Sequence, residues 1–221
     1  MSTRRIYLIG PSSTGKTTLC NAITKHLSLP PSVHVAEVAR NVIRAGGWSR
    51  QDIGLLEMQQ KILDAHAEKE REVIERQGLL NDVDDNSGGI QLLCDRSAID
   101  PVVYAVLTSR SILEPHSSVD ELERSRRDAL VNSSSFQAIL PTYLEAASHF
   151  YLLEPVDSWL EDDGFRHTGD QAESFVIFKR LLGELGIPYR LIGRDMLDLE
   201  ERVRFVLGSG GNSEEVSGRQ R

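Results

Sequence analysis

Cysteine is nearly missing from this chain, with only Cys20 and Cys94 among 221 residues. So small a supply excludes a disulfide scaffold and fits two reduced, buried thiols, neither of them at a metal-ligand spacing. Also absent is any apolar run approaching the ~20 residues that span a bilayer. The opening Met1-Ser2-Thr3-Arg4-Arg5 leads into a polar-flanked strand, not into the apolar stretch of a secretory signal. The expectation is therefore a protein with no membrane span, cytoplasmic or also nuclear. Positive charge is short too: 25 Lys and Arg against 33 Asp and Glu leave a formal net charge of -8. The basic residues are scattered instead of gathered into a stripe, which speaks against a nucleic-acid surface. A small anionic ligand must then be met by local arginines. There is no internal repeat. One α/β domain over residues 1–207 is expected, with a disordered Gly/Ser/charged tail at 208–221.

Five short apolar segments are present, and helical stretches separate them. They are Ile6 to Ile9, Val33 to Ala36, Ile90 to Cys94, Ser148 to Leu153 and Ile187 to Ile192. That alternation predicts a five-stranded parallel sheet covered by helices on both faces, a three-layer P-loop NTPase arrangement with ligands beyond the strands' carboxyl ends. Ser49-Arg50-Gln51-Asp52 reads as a capping box opening a long helix. The inner stripe of that helix is expected at Ile53, Leu56, Gln60, Leu63, Ala67 and Ile74. Its charged run Glu68-Lys69-Glu70-Arg71-Glu72 is expected in solvent. Residues 81–89, acidic and Gly-rich, read as a flexible loop, and 155–170 as a polar excursion able to act as a lid.

The first apolar segment runs directly into Gly10-Pro11-Ser12-Ser13-Thr14-Gly15-Lys16-Thr17, a Gly-x4-Gly-Lys-Thr phosphate-binding loop with a helical pattern after it. Glycines at both ends permit the positive-φ turns that wrap backbone N–H groups around an anion. Gly10, Ser12, Ser13, Thr14, Gly15, Lys16, Thr17 and Thr18 are thus the candidate phosphate contacts. Lys16 is placed to reach the β and γ phosphates and Thr17 to ligate Mg²⁺. ATP and Mg²⁺ are the expected cofactors.

Other candidates fall at strand ends. Asp95, closing an almost unbroken apolar strand, can hold Mg²⁺ or take a proton from an attacking hydroxyl, and it could instead merely cap the next helix. Arg96 beside it suits phosphoryl oxygens. Glu37 and Arg40, one turn apart, form either a salt bridge or a grip on a hydroxyl-bearing acceptor. Arg166, in the excursion, is the candidate for an arginine that closes over the triphosphate. Catalysis is thereby assigned to Lys16, Asp95, Arg96 and Arg166, acceptor binding to Glu37, Arg40, Asp95 and Arg96, and metal to Thr17 and Asp95. The Asn/Thr-Lys-x-Asp signature of guanine readers does not occur.

Taken together, these pieces resemble the P-loop kinase-like domain of the NadR type. They are the phosphate loop, Ala36-Glu37-Val38-Ala39-Arg40, Cys94-Asp95-Arg96-Ser97 with Asp100 and Tyr104, Asp163-Gly164-Phe165-Arg166 and Gly193-Arg194-Asp195. The likeness spans residues 4 to 207, and Asp-Arg-Ser is distantly similar to deoxynucleoside and thymidylate kinases. What the resemblance implies is a nucleotide-kinase-like sheet, a lid around Arg166 and an adenine-contacting turn at Gly193 and Asp195. The implied activity is ATP- and Mg²⁺-dependent phosphorylation of a nucleoside-like acceptor such as nicotinamide riboside. A related lineage described as nucleotide- and lipid-binding implies the alternative of a nucleotide-dependent switch without kinase activity.

Overall fold

The structure is a computed structural model, and it describes residues 3–80, 89–112, 118–156, 159 and 171–208. Its strands are β1 (Arg4–Ile9), β2 (His34–Val35), β3 (Ile90–Asp95), β4 (Ser148–Leu153) and β5 (Tyr189–Ile192). All their pairings are parallel, in the order β2-β3-β1-β4-β5. The first strand therefore lies at the centre, and the chain departs to opposite sides of it. Such a reversal opens a crevice at the carboxyl ends of the strands.

Alternation along each strand builds two cores. Tyr7 and Ile9 of β1 face one way with Leu92 and Cys94 of β3, Phe150 and Leu152 of β4, and Tyr189 of β5. Helices α3 (Leu56–Leu80), α4 (Ile99–Leu107), α6 (Ser134–Leu144) and α7 (Gln171–Leu185) cover that side. Ile6 and Leu8 point the other way, with Leu93, Tyr151, Leu153 and Ile192, toward α1 (Lys16–His26) and α8 (Leu199–Leu207). A period of two in buried strands thus yields the expected three-layer α/β sandwich. Completing the fold, α2 (Val38–Ala45) lies against α3, and α5 (Val119–Val131) against α4. Buried Arg126 fastens α5 by donating from Nε to the Ala105 carbonyl and from Nη2 to the Gly54 carbonyl, both at 2.7 Å.

Four local expectations are corrected. The Ser49–Asp52 capping box exists, with the Asp52 carboxylate 2.7 Å from the Ser49 N–H, but it caps a 3-10 turn over Arg50–Gly54. The long helix starts only at Leu56. The buried stripe is Met58, Gln59, Ile62, Leu63, His66, Ala67, Glu70 and Val73, and Gln60 is only half-buried. Glu70, expected in solvent, is wholly enclosed. The second strand is shorter than anticipated, since Val33 closes a 3-10 turn begun at Pro31. The expected loop at 81–89 lies outside the described residues except for Gly89, and so does the tail beyond Gly208. No helix among the described residues is long and apolar enough to cross a membrane.

Among the described glycines, Gly10 has another strand's backbone nearest to it. Its φ is +135°, and a Cβ placed there would lie 2.7 Å from the Leu153 carbonyl oxygen of β4. Both conditions exclude a side chain. Gly10→Ala is expected to lower unfolding stability by about 1–3 kcal/mol. Urea denaturation checks this, and an unchanged midpoint would contradict so close an approach between loop and strand.

Candidate functional site

The carboxyl ends of β1, β3 and β4 meet around residues 10–16. Backbone geometry there follows the glycines and one serine: Gly10, Ser13 and Gly15 all have positive φ, at 135°, 59° and 86°. No side chain caps α1, whose N-cap is Gly15. Its first-turn N–H groups therefore face the loop without the serine or aspartate that usually satisfies them, and the positive end of the helix dipole adds to them. The Thr14 hydroxyl, buried, donates to the Pro11 carbonyl at 3.0 Å and tightens the turn. Lys16 is folded back, its ammonium donating to the carbonyls of Gly10 (2.8 Å) and Pro11 and to Thr14 Oγ1 at 3.2 Å. Thr18, next along α1, is exposed.

Thr17 Oγ1 donates to Asp95 Oδ2 at 2.6 Å. This bond spans 78 residues and joins the start of α1 to the end of β3. Asp95 does not cap the next helix; the carboxylate that receives the Ser97 N–H, at 3.0 Å, belongs to Asp100. The second oxygen of Asp95, Oδ1, is buried with no hydrogen-bond partner. A hydroxyl and a carboxylate with one idle buried oxygen fit a hard, oxygen-seeking cation such as Mg²⁺.

Arg96 occupies a left-handed backbone position, φ 81°, directly beyond the strand. Its Nη1 donates to Asp100 Oδ1 at 2.8 Å, and its guanidinium lies 5.9 Å from the centre of the Tyr104 ring. Burial opposes the charge, but Tyr104, Asp100 and Asp95 outweigh it and hold the guanidinium pKa above its ordinary value. Tyr104 in turn shares a 2.8 Å hydrogen bond with the Ser12 hydroxyl, so Arg96 and the phosphate loop are linked through one ring.

The remaining candidates divide. Glu37 and Arg40 form an exposed ion pair, Arg40 Nη1 lying 3.1 and 3.0 Å from the two Glu37 oxygens, at the end of edge strand β2. Glu37 stands in the left-handed region at φ 58° as the residue before α2. Gly193 and Asp195 lie in the turn after β5, where Arg194 is clamped by Glu154 through its backbone N–H at 3.1 Å and its guanidinium at 2.6 Å. Arg166 lies outside the described residues, as do Asp162 and Asp163.

Two residues were missed. Gln171, at the start of α7, donates from Nε2 to the Ser12 carbonyl at 2.8 Å. Arg202 of α8, with 1% of its surface exposed, donates from Nη1 to the Thr14 carbonyl at 3.0 Å and from Nε to the Met196 carbonyl at 2.6 Å. Its guanidinium stacks 4.4 Å from the Trp159 ring, and burial lowers its pKa. A Cβ on Gly15 would meet that same ring at 3.1 Å. The only signal for Arg202 was an arginine inside the apolar run Val203, Phe205, Val206, which a solvated helix face explains equally well.

A Gly-rich loop joining a central strand to an uncapped helix, with its threonine bonded to the acid of the neighbouring strand, defines a P-loop NTPase-type domain. The family model described as the AAA domain matches residues 5–202, and the chain belongs to that family. Comparison with curated proteins gave no match.

The buried contacts of Arg202 make a specific demand. In a Trp48→Phe background, Arg202→Ala is expected to cost about 2–3 kcal/mol in unfolding stability, through two lost carbonyl bonds and the lost stack. Trp159 fluorescence should become more open to acrylamide quenching. Unaltered quenching would show that the ring does not rest on Arg202.

Proposed function

We propose that this domain is an ATP- and Mg²⁺-dependent kinase that moves the γ-phosphoryl group to a hydroxyl of a nucleoside-like acceptor. The observation that supports it most is the Thr17–Asp95 hydrogen bond at 2.6 Å, with Asp95 Oδ1 left unpartnered beside it. These two side chains would hold Mg²⁺. The ion, when bound, would offset charge on the phosphates. Asp95 is accordingly assigned to the metal side and not to proton abstraction, because Thr17 already occupies one of its oxygens. Phosphoryl transfer through a loose transition state needs positioned positive charge more than a strong base.

Lys16 would exchange its contacts with the Gly10 and Pro11 carbonyls for phosphate oxygens, a substitution that keeps its ammonium hydrogen-bonded and gives it an opposite charge. Arg96, steadied by Asp100 and Tyr104, would meet the transferring group. Arg166 would close from the excursion. Gly193 and Asp195 would border the base, and Glu37 and Arg40 the acceptor's hydroxyls. Nicotinamide riboside is the first acceptor to try, since the NadR-type resemblance points to it.

One observation favours a second reading. Glu37 and Arg40 satisfy each other in solvent, with side chains 44% and 65% exposed, as expected if that edge serves a partner surface in a nucleotide-dependent switch. Incubation of the purified chain with Mg²⁺-ATP and a nucleoside panel separates the two. Phosphorylated product that disappears in Lys16→Ala, and falls about 100-fold or more in kcat in Asp95→Asn with acceptor KM little changed, is the expected outcome. Tight ATP binding with no product from any acceptor would exclude the kinase. Titrating Mg²⁺ should also show Thr17→Val requiring several-fold more metal for half-maximal turnover, and an unshifted curve would remove Thr17 from the metal site.

A further inference from the structure

Cys94 and Asp95 are adjacent on β3, so they point to opposite faces of the sheet. Asp95 meets α1. Cys94 enters the other core, where it meets two residues of α3. His66 and Glu70 lie one helical turn apart, and their side chains are 1% and 0% exposed. One ligand atom from each of His66, Glu70 and Cys94 lies within 4.8 Å of the others. The group is poorly satisfied by protein. Neither nitrogen of His66 has a hydrogen-bond partner, and neither has Glu70 Oε1. The shortest approach between them, Nδ1 to Oε1, is 3.6 Å, too long for a hydrogen bond. Glu70 Oε2 receives the Tyr143 hydroxyl, at 2.8 Å. Burial pushes the Glu70 carboxyl up, and His66, Tyr143 and the Ala98 N–H only partly oppose it.

An enclosed carboxylate and imidazole in this condition are costly, because an unpaired polar atom in a dry core forfeits its hydration and gains nothing in return. We propose that His66, Glu70 and Cys94 supply three ligands of a structural zinc site between α3 and β3, with an enclosed water completing the four that zinc takes. Thiolate, imidazole and carboxylate are together the donor set of that borderline ion. One Zn²⁺ with one thiolate, one carboxylate and a neutral imidazole carries no net charge, which suits an apolar interior. Ligand atoms sharing a zinc at roughly 2.0–2.3 Å stand nearer to one another than 4.8 Å; His66 and Glu70, 3.6 Å apart, already do, so any closing falls on Cys94.

The carboxylate end of the site has its own support. Tyr143, while donating to Glu70, accepts the Ala98 N–H at 3.1 Å. A bound ion would thus brace, through Glu70 and Tyr143, the turn that carries Asp95 and Arg96. The site is closed on all sides by core residues and offers no entry to a substrate, so its role is to hold α3 to the sheet.

The test uses the full chain, purified without a histidine tag or chelator, and measures metal by plasma mass spectrometry. Close to one zinc per chain is expected, with metal affinity reduced roughly tenfold or more in Cys94→Ser and Glu70→Gln and unaffected in Cys20→Ser. Core variants can misfold, so the unaltered chain supplies a second measurement. Stripped with a chelator, it should melt at lower temperature and regain its melting point with Zn²⁺ but not with Mg²⁺. Co²⁺ added to the stripped protein should give a sulfur-to-cobalt charge-transfer band. Protein that purifies without zinc, gains no stability from it and shows no such band overturns the proposal, leaving only a buried His–Glu pair. Zinc retained equally in both ligand variants also overturns it.

Discussion

Everything at the carboxyl edge of the sheet depends on how closely β1 can be followed by a turn before α1 begins. Gly10 passes so near the Leu153 carbonyl that a methyl group would not fit, and this close passage sets the loop against β4. On the other side the Arg96 N–H donates to the Leu8 carbonyl at 3.0 Å, which holds β3 in register beyond its last strand residue. Between these two constraints Thr17 arrives beside Asp95. The hydrogen bond joining them follows from the register of the strands, and so does the presence of a metal-fitting pair of oxygens.

The loop is supported from three directions by groups outside it. Tyr104 of α4 holds Ser12 by its hydroxyl, Gln171 of α7 holds the Ser12 carbonyl, and Arg202 of α8 holds the Thr14 carbonyl. A backbone with three positive-φ residues is conformationally expensive, and neutral and cationic donors to its outward carbonyls stabilise it without using the inward N–H groups. Pre-shaping of this kind reduces the ordering that a triphosphate would otherwise have to impose. Helices from both layers contribute, so the two cores are coupled at this one edge.

Much of the site was legible because its chemistry is local. Gly10, Lys16 and Thr17 lie within one short loop of sequence, and Asp95 announces itself as a charge ending an apolar strand. The acceptor candidates Glu37 and Arg40 were equally visible, yet spacing alone could not decide between an ion pair and a binding grip. The structure pairs them with each other. Glu70 was misread for a definite reason: its neighbours Glu68, Lys69, Arg71 and Glu72 are charged, and a run of charges ordinarily lies in water. Which single member of such a run turns inward follows from the helical period: Glu70 stands three residues after Ala67 and seven after Leu63, both buried, and so shares their face.

The sequence by itself determined the α/β class, the alternation that splits β1 between two cores, and the strand–loop–helix unit with its glycines and lysine. All of these are set within a few residues, by steric freedom and side-chain periodicity. Only the tertiary structure decided that Thr17 meets Asp95 across 78 positions, that Gln171 meets Ser12 across 159 and that Arg202 meets Thr14 across 188. No local pattern encodes such pairs. They come from the order in which parallel strands are laid side by side, and a carboxylate or guanidinium is driven inward only where that order brings it a partner.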